Sequence, residues 1–297
     1  MVELVAELTT NHMGNLNVLL AMVDAAKESG ASCVKMQKKD VETFYSQEKL
    51  DVQFESPYGS TYREYRKMFE FGADDWRRFR RHCKLLGLPW FSTVQDLPSL
   101  DFLIENIGGK RYKVSSSLAR NMPFLRSVAN NLSGIAADEI VLSVAGSTLK
   151  EIEASLDVFR DFQRVWLLHC VAQYPCPVED LRLGNIPELC KQFRTDRVRI
   201  GYSGHEEGWQ PSVAAVHLGA EMVERHFCLS RHSFVHHIEC SLTPLEFAAM
   251  RRAIETSKDT NLPLSAYSVQ FGMSNEERLF LENQTYACDR LGLVSRM

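Results

Sequence analysis

Two histidines stand just past short apolar runs, His205 in Gly201-Tyr-Ser-Gly-His205 and His226 in Glu224-Arg-His226-Phe-Cys-Leu. Neutral imidazole is a favoured ligand for divalent transition ions. One predicted helix separates the two, which would hang both rings from adjacent parallel strands at the same end of a sheet. The pair therefore reads as a candidate metal site, or as two structural histidines. The rest of the chain has to decide between them.

The elements needed to position such a pair are legible in the hydrophobic pattern. Short apolar runs alternate with amphipathic stretches, the pattern of βα repetition. Strands are expected at 2–8, 32–37, 89–93, 112–115, 140–144, 165–170, 198–202 and 221–227. Helices are expected at 16–29, 62–86, 96–107, 122–130, 148–162, 178–193, 210–218 and 244–257. Eight such units fit a (β/α)8 TIM barrel over residues 1–258, with 259–297 as a short C-terminal extension; a doubly wound open sheet is the rival arrangement. Gly30 and Gly87 suit helix C-terminal turns, Asp96, Ser147 and Thr243 suit N-caps, and Pro123 and Pro244 suit first helical turns. The connection 38–60, rich in charge and aromatics, is long for a βα loop and reads as functional.

Composition narrows the partners. A formal charge of −4 gives no polybasic field, so nucleic acid is not expected. No apolar run approaches the roughly 18 residues that a membrane helix needs. The eight cysteines form no CxxC pair. With no signal-peptide pattern at the N-terminus, free thiols in a reducing cytoplasm are the expectation.

In a barrel, chemistry gathers where strands end and βα loops begin. Those ends carry Glu7, Asn11 and His12; Lys35 and Gln37; Lys113 with Ser115, Ser116 and Ser117; and Ser143. They continue with His169, Gln173 and Tyr174; Ser203 and His205; and His226. Lysine with serine suits a phosphate or carboxylate, and a metal suits a carbonyl that must be polarised. Each also has a structural reading. The lysines could be exposed strand-end charges, Glu7 their salt-bridge partner, His169 a satisfied core residue and His12 a turn residue held by backbone contacts. The recurrence of polar groups at nearly every strand end favours a site.

Several segments in this order carry a resemblance: Ala6-Glu-Leu with Asn11-His-Met-Gly14, Val34-Lys-Met-Gln37, Tyr62-Arg-Glu-Tyr65, Tyr112-Lys-Val-Ser115, Leu168-His-Cys170 with Tyr174-Pro, Gly201-Tyr-Ser-Gly-His205 and Glu224-Arg-His-Phe227. Together they resemble the sialic acid synthase family, which condenses phosphoenolpyruvate with an aldehyde sugar. The resemblance implies a (β/α)8 barrel, a homodimer, and a divalent ion such as manganese or magnesium on His205 and His226. It further implies that Lys35, Lys113, Ser116, Ser143 and Ser203, with Gln37 nearby, hold phosphoenolpyruvate. Glu7 falls on the family's active-site glutamate and Tyr174 on a pocket tyrosine.

The chain also departs from that pattern. The family's Gly-Tyr-Ser-Asp-His has Gly204 in place of the acid, and Ala172 replaces an asparagine. Val144-Ala-Gly146 replaces Thr-Gly-Met, and Ser92-Thr-Val94 replaces Ser-Thr-Pro. His236 or His237 stands where an acidic residue is expected. His237 is thus a third ligand, an acid–base group, or a drifted loop residue. The family's C-terminal antifreeze-like domain, which supplies an acceptor-site arginine, has no counterpart in 259–297. The phosphoenolpyruvate side is better kept than the acceptor side, so an altered aldehyde is expected. Two other readings stay open: lyase, aldolase or isomerase chemistry on a related barrel, and a catalytically silent binding protein.

Overall fold

The structure, a computed structural model, describes residues 2–135, 137–256 and 262–284. Eight parallel strands close into the expected barrel: β1 (Glu3–Glu7), β2 (Cys33–Lys38), β5 (Trp90–Val94), β6 (Arg111–Val114), β7 (Glu139–Ser143), β8 (Arg164–His169), β9 (Val198–Gly204) and β10 (Met222–His226). β1 closes the ring between β10 and β2, with Glu7 opposite His226 on one side and Lys35 on the other. An outer layer of helices covers it: α1 (Leu16–Glu28), α5 (Ala73–Leu85), α6 (Leu97–Asn106), α7 (Met122–Ser133), α8 (Leu149–Val158), α9 (Asn185–Phe193), α10 (Gln210–His217) and α11 (Pro244–Thr256). No helix of the described residues is long and apolar enough to cross a membrane.

The two-residue period of the strands sorts side chains between barrel lumen and helix layer. Val5, Cys33, Phe91, Val141, Trp166, Leu168 and Met222 pack together as an inner apolar layer. Two residues further along the same six strands, just past the end of β8 in one case, and on β6, stand Glu7, Lys35, Thr93, Lys113, Ser143, Cys170 and Glu224, all buried. The barrel is thus plugged by apolar side chains below and by polar ones towards the strand C-termini. The alternate residues, including Leu4, Ala6, Val34, Leu142, Leu167, Ile200 and Val223, join the core beneath the helices.

Local expectations were met unevenly. Gly30 and Gly87 take positive φ right after α1 and α5, and the Asp96 carboxylate accepts from Ser99 N at 2.7 Å. The cap of α8 is Thr148 rather than Ser147, in a capping box with Glu151. The helix expected over 62–86 is two: α4 (Tyr62–Lys67) and α5, interrupted where Gly72 is extended and Asp74 and Asp75 open a new first turn. The helix expected over 178–193 is a 3-10 turn (Val178–Asp180) followed by α9. Arg182 takes positive φ, and Gly184 lies so close to the carbonyl of Tyr267 that a Cβ would sit 2.3 Å from it. The 38–60 connection holds two short helices, α2 (Val41–Phe44) and α3 (Gln47–Leu50), and a hairpin of β3 (Gln53–Ser56) with β4 (Gly59–Thr61).

After α11, a 3-10 turn (Leu264–Tyr267) and α12 (Asn275–Gln284) return to the barrel mouth. The buried Glu277 carboxylate anchors α12, accepting from Arg182 Nη1 at 2.8 Å and from Ala172 N at 3.3 Å. Residues 259–261 and 285–297, with Cys288, lie outside the described residues. The other seven cysteines are free thiols.

Candidate active site

A cavity of about 780 Å³ opens at the C-terminal ends of the strands. Its lining includes Glu7, Lys35, Gln37, Lys113, Ser116, Ser143, Tyr174, Ser203, His205, His226 and His237, so the residues singled out in the sequence converge. Asn11 and His12 stand apart: Asn11 Nδ2 donates to Phe227 O at 2.8 Å, and His12 Nδ1 accepts from Gly14 N at 3.1 Å in a turn against Phe71. His169 is the satisfied core residue, its Nε2 2.8 Å from Leu181 O and its ring stacked on Tyr202.

The floor is a network of buried ions. Lys35 Nζ pairs with Glu7 and donates to Thr93 Oγ1 at 2.8 Å, with Glu224 Oε1 at 3.4 Å. Lys113 Nζ donates to Glu224 Oε1 at 2.6 Å, and Ser203 Oγ adds a bond of 3.3 Å. Glu7 also accepts from Thr9 N at 2.9 Å. Gln37 Nε2 bridges to Thr9 Oγ1 at 3.2 Å. Burial alone would raise the Glu224 carboxyl, but the Lys113 and Lys35 ammonium groups override it and hold it down to about 2. Burial pushes Lys35 down to about 7, with Glu224 opposing. The Ser143 hydroxyl is buried there without a partner, and Ser116 Oγ accepts from Ala145 N at 3.1 Å.

Beside this floor stand the imidazoles. The His205 and His226 rings lie 5.6 Å apart, and His237 lies 5.6 Å from His226. Burial pushes His205 down to about 4 and His226 well below its ordinary value, so both are neutral at pH 7. His205 Nδ1 lies 2.9 Å from Val171 O, which accepts only, so Nδ1 carries the proton and Nε2 keeps a free lone pair. His226 Nδ1 is buried with no partner. This donor chemistry fits a divalent ion that takes two imidazoles and completes its shell with water or substrate oxygens. Among the described residues no group of three or more His, Cys, Asp and Glu is placed to hold a metal, so His237 does not complete a three-residue ligand set. Instead, the Tyr174 ring lies between His205 and His237, 4.1 Å from each, and 4.7 Å from Phe280 of α12.

A profile of the NeuB family matches residues 22–261. The chain belongs to the NeuB family. It is 34% identical over 283 residues to N-acetylneuraminate-9-phosphate synthase of Drosophila melanogaster, covering 94% of this chain and 74% of that protein. It is 30% identical to N,N'-diacetyllegionaminic acid synthase of Campylobacter jejuni, over 82% of this chain and 72% of that protein. The crystal structure of N-acetylneuraminic acid synthetase from Leptospira borgpetersenii, a complex with citrate, superposes with a TM-score of 0.74 at 26% identity, covering 96% of this chain and 92% of that one.

Two departures from the NeuB pattern now have physical accounts. The space beside Gly204 is taken by Glu206: a Cβ on Gly204 would lie 2.6 Å from Glu206 Oε2. That fully buried carboxylate accepts from Arg225 Nη1 at 2.8 Å and Tyr202 OH at 2.7 Å, tying the neighbours of His205 and His226 together. Ala145, Ala172 and Cys170 form an apolar seat for Leu281 of α12. A Cβ on Gly146 would lie 2.8 Å from Leu281 Cδ1, so the small residues there make room for that helix.

Reasoning from sequence missed Glu224 as a floor residue, although its place two residues before His226 in one strand gives it the same lumen-facing parity. It also missed Lys39 and Arg66, which line the cavity from the 38–67 excursion. Only the charge and aromatic richness of that connection pointed there.

Proposed function

We propose that this chain condenses phosphoenolpyruvate with an aldehyde sugar to give a 2-keto-3-deoxy sugar acid, in a reaction that needs a divalent ion. The observation that carries this reading is the convergence, in a NeuB-family barrel, of Lys35, Lys113 and the hydroxyls of Ser116, Ser143 and Ser203 beside two neutral imidazoles. The relatives named as sialic and legionaminic acid synthases support it.

In this reading Lys35 and Lys113 bind the phosphate and carboxylate of phosphoenolpyruvate, with the serine hydroxyls and Gln37 fixing its orientation. His205 and His226 would hold a manganese or magnesium ion, which when bound supplies Lewis-acid polarisation of the acceptor carbonyl. The enol C3 attacks the aldehyde carbon, water adds at C2, and phosphate leaves by cleavage of its C–O bond. Glu7 moves a proton at the acceptor oxygen or at the attacking water, and Lys35 holds that carboxylate in place. Tyr174, His237 and Phe280 shape the acceptor end. That end differs from the family pattern at Ala172 and Ala145, which supports an altered acceptor. We place the catalytic unit in residues 1–258, with 259–297 as its extension, in a homodimer in the cytoplasm; sedimentation measures the assembly.

The test is phosphate release from phosphoenolpyruvate labelled with ¹⁸O in the bridging position. Release that requires both an aldose and manganese or magnesium, with the label in the phosphate, is expected. No release across a broad panel of aldoses with the metal present, while phosphoenolpyruvate binds, overturns the reading. Borohydride trapping of pyruvate on a lysine would instead establish a Schiff-base aldolase.

A further inference from the structure

His205 is gripped by the segment that follows β8. Its Nδ1 lies 2.9 Å from Val171 O, its backbone carbonyl accepts from Cys176 N at 2.9 Å, and its ring centroid is 4.1 Å from that of Tyr174. That segment is gripped in turn by α12. Glu277 Oε1 accepts from Ala172 N at 3.3 Å, the Phe280 ring lies 4.7 Å from Tyr174, and Leu281 packs with Cys170 and Ala172. The other carboxylate oxygen, Oε2, accepts from Arg182 Nη1 at 2.8 Å and from Ser274 N at 3.0 Å. Glu277, Val171 and Ala172 are 0%, 3% and 2% exposed, so water does not compete for these bonds.

Val171 O and Ala172 N belong to one peptide unit, which is planar, so its C=O and N–H turn together. A carboxylate that holds the N–H therefore also aims the carbonyl at His205 Nδ1. Hydrogen bonds in such a chain polarise one another, and a charged acceptor at one end strengthens the bond at the other. Anchoring α12 needs only Arg182, Ser274 and the apolar seat. The remaining bond, to Ala172 N, is the one that reaches the imidazole. His226 has no counterpart, since its Nδ1 is buried without a partner. We propose that Glu277 is a positioning residue for His205. It acts through the Val171–Ala172 peptide to hold the Nδ1–H tautomer and to leave Nε2 free for a divalent ion. The pairing of a carboxylate with a metal-binding imidazole is present here with one peptide unit inserted. This rests on the reading above that His205 and His226 hold the ion, and it gives α12 a role beyond walling the cavity.

The experiment titrates manganese into the intact chain without substrates, read by electron paramagnetic resonance, and records the ¹⁵N-histidine NMR spectrum of the metal-free protein. Glu277→Gln keeps the shape and loses the charge. It should weaken manganese binding about tenfold and shift the His205 Nδ1 proton resonance, while the metal-free affinity for phosphoenolpyruvate holds. Glu277→Asp, which keeps a charge beside Arg182, should weaken manganese several-fold. Manganese affinity within about twofold of the wild type overturns the proposal. So does an unchanged His205 resonance, and so does a parallel fall in melting temperature and both affinities, which is what a merely structural Glu277 would give. If Glu277→Gln does not fold, because Arg182 loses its counter-ion, Glu277→Asp decides by the same criteria. If the wild type takes up no manganese, the metal reading fails and the His205 resonance decides the positioning alone. A shift in Glu277→Gln then upholds it, and an unchanged spectrum overturns it.

Discussion

The floor and the rim of this cavity handle positive charge in opposite ways. On the floor, Lys35 and Lys113 are carried by strands, and each meets a carboxylate from a neighbouring or facing strand. At the rim, Lys39 and Arg66 come from a long excursion and meet aromatic rings instead. A matched ion network is preorganised, and its geometry is fixed by strand register before any substrate arrives. Cations held against rings await a counter-charge from outside. The difference teaches where specificity can change cheaply: at the rim, where the framework does not depend on the residues involved.

The strongest test of this contrast is Lys113→Met. It leaves Glu224 buried without its nearest counter-ion, which should lower unfolding free energy by about 3–5 kcal/mol in urea titrations and abolish turnover. Adding Glu224→Gln should restore most of the stability and none of the turnover. A single variant as stable as the wild type would break the comparison at its root. Next in size is Gly204→Asp, which drives a side chain into the Glu206 carboxylate and should cost about 1–3 kcal/mol. Glu206→Ala in the same chain should recover it, as read by thermal melting. Failure of that rescue means that Glu206 does not fill the space beside Gly204.

At the rim, Phe280→Ala removes a ring from Tyr174 and should raise the KM for the aldose about fivefold, an aromatic contact of ~1 kcal/mol, while the KM for phosphoenolpyruvate holds. Movement of both constants together would show that rim and floor are not separable. The smallest effect is one of pH. Burial leaves Lys35 titrating at about 7 in the free protein. A bound trianion favours the charged form, so binding takes up a proton above that value. Phosphoenolpyruvate affinity should therefore weaken several-fold between about pH 7 and 8. Calorimetry in buffers of different ionisation enthalpy measures the uptake, and an affinity flat across that range removes Lys35 from the binding set.

The sequence was most informative where periodicity is strict. Strand parity places Glu7, Lys35, Lys113 and Ser143 in one lumen layer without knowledge of any contact. Glu224 follows from the same rule. Residues that depend on long-range packing were not legible. Nothing local announces that Glu206 fills the space beside Gly204, because that contact needs the turn after β9 to fold back. The break between α4 and α5 was hidden by continuous helical polarity, although Gly72 marks it. Nor could the small residues at 145, 146 and 172 be explained until Leu281 was seen resting on them.

That last contact bears on how such an enzyme could diversify. Ring closure by β1 and β10 is complete before the chain reaches residue 262, so the wall built by α12 hangs on the barrel chiefly through the Glu277 clasp and one apolar seat. A different segment bearing its own acid and one aliphatic plug could dock there without altering a single strand pairing. New sugars could then be admitted by exchanging a detachable panel, while the chemistry underneath stays as it is.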